Sequence, residues 1–301
     1  VFYSNISEWG PQAKAYITDA TKPYCKADLQ LLIEHHTVDP SILRSAFSQL
    51  KRGLINNPPG PSKRTTDGTH GGELIAYGKY LSVAAISPDI IHSLTEDASQ
   101  IRFAACHLRL KHTSIIVFTV YLWDSQGWSA ENHTIMQHIK SISDIFDVPI
   151  IIVGDFNMLP TEFNDSCWCA HLKAGLVLPP TPTTLSKTSD RLIDYIVVSD
   201  SIRHIIEDVT AVQDTPWRHH GIAFKINARP RAMHSTSLMR PKALPLAEAT
   251  QIYSVMSDYQ KYQAYLKATR KARDILHRQR TKTGVAILGK PHPTLAQDIK
   301  Y

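Results

Sequence analysis

The sequence predicts an α/β fold, and three observations carry that prediction. Residues 115–121 are dense in β-branched side chains, the composition of a strand. Residues 148–153 form an unbroken apolar run, as in a strand buried on both faces. Between them Ile135, Ile139, Ile142 and Phe146 recur at helical spacing, so residues 130–146 form an amphipathic helix with Ser129 as its N-cap.

The other elements follow in chain order. Residues 1–6 read as a short strand. Glu8-Trp9-Gly10-Pro11 opens a helix, with Pro11 suited to its first turn. Residues 29–33 are an apolar strand ending at Glu34, and His35-His36 fall on the loop beyond it. Residues 51–72 are rich in Gly, Pro, Asn, Lys and Thr, which predicts a long surface loop carrying Lys63-Arg64. Strands are expected over 74–76, 81–86, 101–110, 191–199 and 221–226. These elements make up a domain over residues 1–228. Pro230, Pro241 and Pro245 mark 229–247 as a linker. Ile252, Val255, Met256, Tyr259, Tyr262 and Leu266 then give 248–282 the spacing of an amphipathic helix with a dense basic face, and 283–301 reads as a poorly ordered tail.

Composition narrows the function classes. Of 301 residues, 43% are hydrophobic and 20% charged, ordinary values for a globular protein. No apolar run approaches the roughly 20 residues of a membrane-spanning helix. The net charge of +6 is unevenly placed. From Arg229 onward there are 14 Lys or Arg against 4 Asp or Glu, a net +10, so residues 1–228 carry −4. Affinity for polyanions is therefore expected mostly in the tail. Cys25, Cys106, Cys167 and Cys169 make no Cys-x-x-Cys pair and are expected as reduced thiols. No signal peptide is visible, so a nuclear or cytoplasmic location is expected, and an opening Val-Phe-Tyr suits a piece of a longer chain.

One pattern recurs along the chain. A short apolar strand ends in a residue that offers an oxygen ligand or handles a proton: Asn5, Glu34, Tyr121, then Asp155 with Asn157. In α/β sheets ligands collect beyond the carboxyl ends of strands, so neighbouring strands would bring these groups to one cleft. Asp194 lies within an apolar strand, where a solvated carboxylate is not the obvious explanation, and His219-His220 precedes another strand. A carboxylate that orients a histidine is a recurring catalytic device.

In these segments the chain resembles the exonuclease–endonuclease–phosphatase superfamily, and within it the apurinic-endonuclease-like domain of non-LTR retrotransposons. The residues that carry the resemblance are Gly154-Asp155-Phe156-Asn157 behind its strand, Arg191-Leu-Ile-Asp-Tyr195, Leu31-Leu-Ile-Glu34, Ser4-Asn5, Val120-Tyr121 and Trp217-Arg-His-His220. They occur in the family's order across residues 1–226. The resemblance implies a four-layer sandwich of two mixed sheets flanked by helices, and Mg²⁺- or Mn²⁺-dependent hydrolysis of a phosphodiester. It implies that Glu34, assisted by Asn5, holds the metal, and that Asp155 positions or deprotonates the attacking water. Asn157 would donate to the phosphoryl oxygens and Tyr121 would contact the scissile phosphate. His220, oriented by Asp194, would stabilise the pentacoordinate state or serve as the acid–base group. Two departures stand out: His219 occupies the place of the family's aspartate, and Ser7 that of a second first-strand acid. They point to a one-metal site, a weakened enzyme or a decayed copy.

The expected activity is nicking of DNA by a retroelement endonuclease, in a monomeric domain or part of a polyprotein. Its rivals are a small-molecule phosphoesterase acting on inositol phosphates or lipid head groups, and a non-catalytic nucleic-acid-binding domain of the same fold.

Overall fold

In the computed structural model, residues 1–61, 68–95, 97, 100–184 and 190–229 are described, together with Gln263 and Lys267. The chain divides into units Val1–Ser235 and Thr236–Tyr301. Gln263 and Lys267 are helical; apart from these and Arg229, the expected linker, basic helix and tail lie outside the described residues, as does Lys63-Arg64.

The first unit runs β1 (Phe2–Asn5), α1 (Pro11–Thr18), β2 (Leu29–Ile33), α2 (Pro40–Gln49), β3 (Arg52–Asn57), β4 (Gly60–Pro61), β5 (Thr69–His70) and β6 (Glu73–Gly78). It continues through β7 (Val83–Ala85), α3 (Pro88–Leu94), β8 (Phe103–Arg109), β9 (Ser114–Tyr121), α4 (Ala130–Phe146) and β10 (Ile150–Asp155). It closes with α5 (Pro160–Asp165), α6 (Trp168–Leu172), β11 (Ala174–Val177), β12 (Asp194–Ser199), β13 (Ile206–Val212) and β14 (Gly221–Ile226). Two six-stranded mixed sheets result, in the orders β13-β14-β1-β2-β6-β3 and β11-β12-β10-β9-β8-β7.

Alternation of side chains explains why the central strands read as unbroken apolar runs. In β10, Ile151 and Val153 face the core between the sheets, where they meet Leu31, Ile33 and Ile75 of the other sheet. Ile150 and Ile152 face the opposite way, against Ile135, Ile139 and Ile142 of α4 and Phe163 of α5. The outer face of the first sheet buries Phe2, Leu32 and Leu74 against Ala13 and Ile17 of α1 and Leu43 and Phe47 of α2. Helix, sheet, sheet and helix make the four expected layers.

Helix α4 has the predicted bounds, and Ser129 accepts from the Asn132 N–H as its cap at 3.3 Å. Pro11 begins α1 as expected. Two expectations change. Much of 51–72 is strand, not loop: β3 forms the edge of the first sheet, antiparallel to β6, and β4–β5 is a small hairpin. Its Asn-Asn-Pro-Pro composition hides this, because edge pairing to β6 outweighs local propensity. The strand expected over 191–199 starts at Asp194, so Asp194 opens the strand instead of lying inside it. All four cysteines are free thiols. Among the described residues, no helix is long and apolar enough to cross a membrane.

Candidate active site

Parallel strands β1 and β2 of one sheet, and β9 and β10 of the other, end at the same edge of the sandwich. Asn5 closes β1, Glu34 follows β2, Tyr121 closes β9 and Asp155 closes β10. Antiparallel β12 begins there, which places Asp194 directly opposite Asp155. His219 stands two residues before β14, bridged in backbone to Thr184.

The segment Gly154-Asp155-Phe156-Asn157 has a physical reason at each position. A Cβ on Gly154 would lie 2.1 Å from the Val120 carbonyl oxygen, so only glycine lets β10 approach β9 there. Asp155 Oδ1 accepts from the Asn157 N–H at 2.9 Å, a turn that leaves Oδ2 to the cleft. Phe156 is fully buried and stacks on Tyr195 at 4.2 Å. Asn157 takes a left-handed φ of 53°, and its Nδ2 donates to the Leu122 carbonyl at 2.7 Å. One of its amide protons is therefore committed to structure.

Asn5 ties the two sheets together. Its Nδ2 donates to Glu34 Oε2 at 2.7 Å and to Asp155 Oδ2 at 3.1 Å, while its Oδ1 accepts from the Ser7 N–H at 3.0 Å. Asn5 thus arranges the two carboxylates and presents them its amide nitrogen, not an oxygen. Asp194 Oδ1 accepts from the buried Tyr3 hydroxyl at 2.7 Å, and its backbone N–H donates to Thr183 Oγ1 at 3.0 Å.

The expected pairing of His220 with Asp194 is not the one formed. His219 Nδ1 lies 3.0 Å from Asp194 Oδ2 and 3.7 Å from Asp155 Oδ2. His220 is buried, and its Nδ1 has no hydrogen-bond partner among the described residues. Backbone contacts set this register. Thr215 Oγ1 donates to the His219 carbonyl at 2.7 Å, and the His220 N–H donates to the Thr183 carbonyl at 2.6 Å. The site's histidine is therefore His219, and the residue preceding it is Arg218.

Three further residues of the site escape sequence reasoning. Tyr3 shares a strand face with Asn5, a period-two signal open to an apolar reading. Thr183 falls outside every expected strand. His36, expected as an idle loop residue, has Nε2 3.8 Å from Glu34 Oε1.

Electrostatics give the cleft its character. Burial, then the charge of Asp194, pushes Asp155 well above the ordinary carboxylate range, and the nearby His219 only partly offsets this. Burial also pushes Glu34 up, but the neighbouring His36, Tyr121 and Asn5 outweigh it and hold Glu34 below its usual value. Burial opposes a charged His219, yet the charge and hydrogen bond of Asp194, with Asp155 and Glu34 behind, raise it to about 10. Asp155, Asp194 and His219 offer ligand atoms that all lie within 4.8 Å of one another. Buried carboxylates in excess of their one imidazolium, all offering hard oxygen donors, fit a divalent cation.

The same architecture is found in solved structures. An apurinic endonuclease from Leishmania major superposes with a TM-score of 0.57 at 13% identity, over 75% of this chain and 86% of that one. The chain has the exonuclease–endonuclease–phosphatase fold. The endonuclease domain of TRAS1, a telomere-specific non-LTR retrotransposon, shares this fold at TM-score 0.51 and 16% identity, over 75% of this chain and 96% of that one. So does NExo, a 3'-5' exonuclease from Neisseria meningitidis, at 0.51 and 15%, over 75% and 98%. No family model and no curated protein matches the sequence. The cleft of this fold in the present chain is built from Asn5, Glu34, Tyr121, Asp155, Asp194 and His219.

Proposed function

We propose that this chain hydrolyses phosphodiesters with a divalent metal, Mg²⁺ or Mn²⁺, and that it nicks DNA as a retroelement endonuclease does. The observation that carries the reading is the His219–Asp194 pair at 3.0 Å, set beside Asp155 and Glu34 on one edge of the sandwich. Nuclease neighbours at the level of fold support it. The net +10 of the residues from Arg229 onward suits a long polyanion better than a small phosphoester.

Glu34 and Asp155 would hold the metal, with Asn5 fixing their spacing. Bound there, a divalent cation would offset the phosphodiester's charge and polarise its P–O bonds. Asp155, at the end of β10 and opposite Asp194, positions the attacking water and accepts its proton. His219 is kept as an imidazolium by Asp194 and donates toward the phosphoryl oxygen as charge grows there. Tyr121 and the uncommitted amide proton of Asn157 orient the phosphate. Four free thiols suit a reducing compartment, and we place the protein in the nucleus or cytoplasm, as a monomeric domain or part of a polyprotein.

Plasmid nicking with Mg²⁺, Mn²⁺ or chelator tests the reading. Salt-sensitive, metal-dependent nicking is expected. Phosphate release from inositol phosphates or head groups without nicking would replace the nuclease by a small-molecule phosphoesterase. Neither activity would leave a binding domain.

A further inference from the structure

At the cleft begins a column of four side chains, of which the proposed chemistry uses only Tyr121. The Arg102 guanidinium carbon sits 4.5 Å from the centre of the Tyr121 ring and 3.9 Å from that of Trp123. The His70 ring then meets Trp123 at 4.4 Å with a 44° tilt. The column thus runs from the β4–β5 hairpin, which carries His70, to Tyr121 in the cleft.

Arg102 and Trp123 are fixed from outside the column. Arg102 is 3% exposed and extends the β8–β9 pairing: its Nε donates to the Tyr121 carbonyl at 2.9 Å, and the Tyr121 N–H donates to its carbonyl at 3.0 Å. Its charge is offset by Glu73, itself buried and held by the Asn57 amide, which donates to Glu73 Oε2 at 2.6 Å and to the Ile101 carbonyl at 2.8 Å. The fully buried Asn132 clamps Trp123, accepting from its N–H at 2.8 Å and donating to its carbonyl at 3.2 Å. A desolvated guanidinium between two rings gains from both quadrupoles and fixes the plane of each. The Tyr121 hydroxyl, at the inner end of the column, reaches Glu34.

We infer that Trp123 and Arg102 are positioning residues: they hold the Tyr121 ring at the angle that aims its hydroxyl at Glu34 and the scissile phosphate. The inference rests on the phosphodiesterase reading for its chemistry and on the column alone for its geometry. A tilt of the ring swings the hydroxyl by a fraction of an ångström or more, and misplacement on that scale is expensive in rate.

Two measurements test it on the full chain. In the first, 3-fluorotyrosine is placed at position 121 and its ¹⁹F resonance recorded. Trp123→Leu should broaden the resonance and move it toward that of free fluorotyrosine, while Trp123→Phe, which keeps an aromatic face, should leave it in place. In the second, plasmid nicking is measured in a double-mutant cycle. Trp123→Leu should lower kcat by roughly 10-fold with KM little changed, and the loss should disappear in a Tyr121→Phe background. An unmoved resonance in Trp123→Leu overturns the inference, as does a loss that persists undiminished without the Tyr121 hydroxyl. A moved resonance in a protein that nicks nothing upholds the column and overturns the nuclease reading instead.

Discussion

Consider His219→Asn in protein freed of metal by chelation. In the folded chain His219 is raised from an ordinary value near 6.5 to about 10, because its Nδ1 faces Asp194 at 3.0 Å with Asp155 beyond. A group whose folded pKa lies above its unfolded one stabilises the fold fully below the unfolded value, and that contribution is lost as pH rises through the folded value. At pH 7 the linkage amounts to about 4 kcal/mol. The variant should therefore be less stable than the wild type by roughly that amount at pH 6 to 7. The gap should close as pH climbs toward about 10. Urea unfolding in chelator at several pH values measures it. With metal restored, the same substitution should slow nicking by about 10²- to 10⁴-fold, the usual worth of an acid–base group. His220→Asn should leave nicking within a few-fold. A gap that does not change with pH, or a pH-dependent gap and lost nicking in His220→Asn, would refute the assignment of His219.

Other substitutions probe the remaining parts. Glu34→Gln and Asp155→Asn should each remove most nicking and weaken Mn²⁺ binding in a titration while the circular dichroism spectrum stays native; near wild-type activity at saturating metal counts against the proposed ligands. Gly154→Ala should cost about 3 kcal/mol or more, because its Cβ would meet the Val120 carbonyl at 2.1 Å; denaturant melts showing an unchanged midpoint would contradict the close β9–β10 approach. Removing everything after Ala228 should weaken DNA binding and flatten its salt dependence, with single-turnover cleavage little changed; an unchanged salt slope would assign the +10 tail another purpose.

Local signals were strong where one element decides its own structure. Helix α4 could be bounded from Ser129 and its apolar spacing, and β10 could be located, though not bounded, from its unbroken apolar run. The polar residues at the ends of β1, β2, β9 and β10 could be found one by one, because a strand end is visible in a single sequence. What brings them together is not local. Asn5 meets Asp155 across 150 residues of chain, and Tyr3 meets Asp194 across 191. Such contacts depend on strand order and on which way each strand runs. The choice between His219 and His220 shows the difference most clearly. Two adjacent histidines are the same chemistry at nearly the same position, and no periodicity separates them. The Thr215 hydroxyl, which donates to the His219 carbonyl, and the Thr183 carbonyl, which accepts from the His220 N–H, are distant from one another in sequence and together set which imidazole faces the carboxylates. Composition also misled at β3, where a segment that ends in Asn56-Asn57 and runs into Pro58-Pro59 becomes an edge strand because β6 offers it a partner. The sequence by itself determined which residues could do chemistry. The tertiary structure decided which of them share a cleft, because side-chain direction and strand pairing are fixed only when both sheets close on their common core.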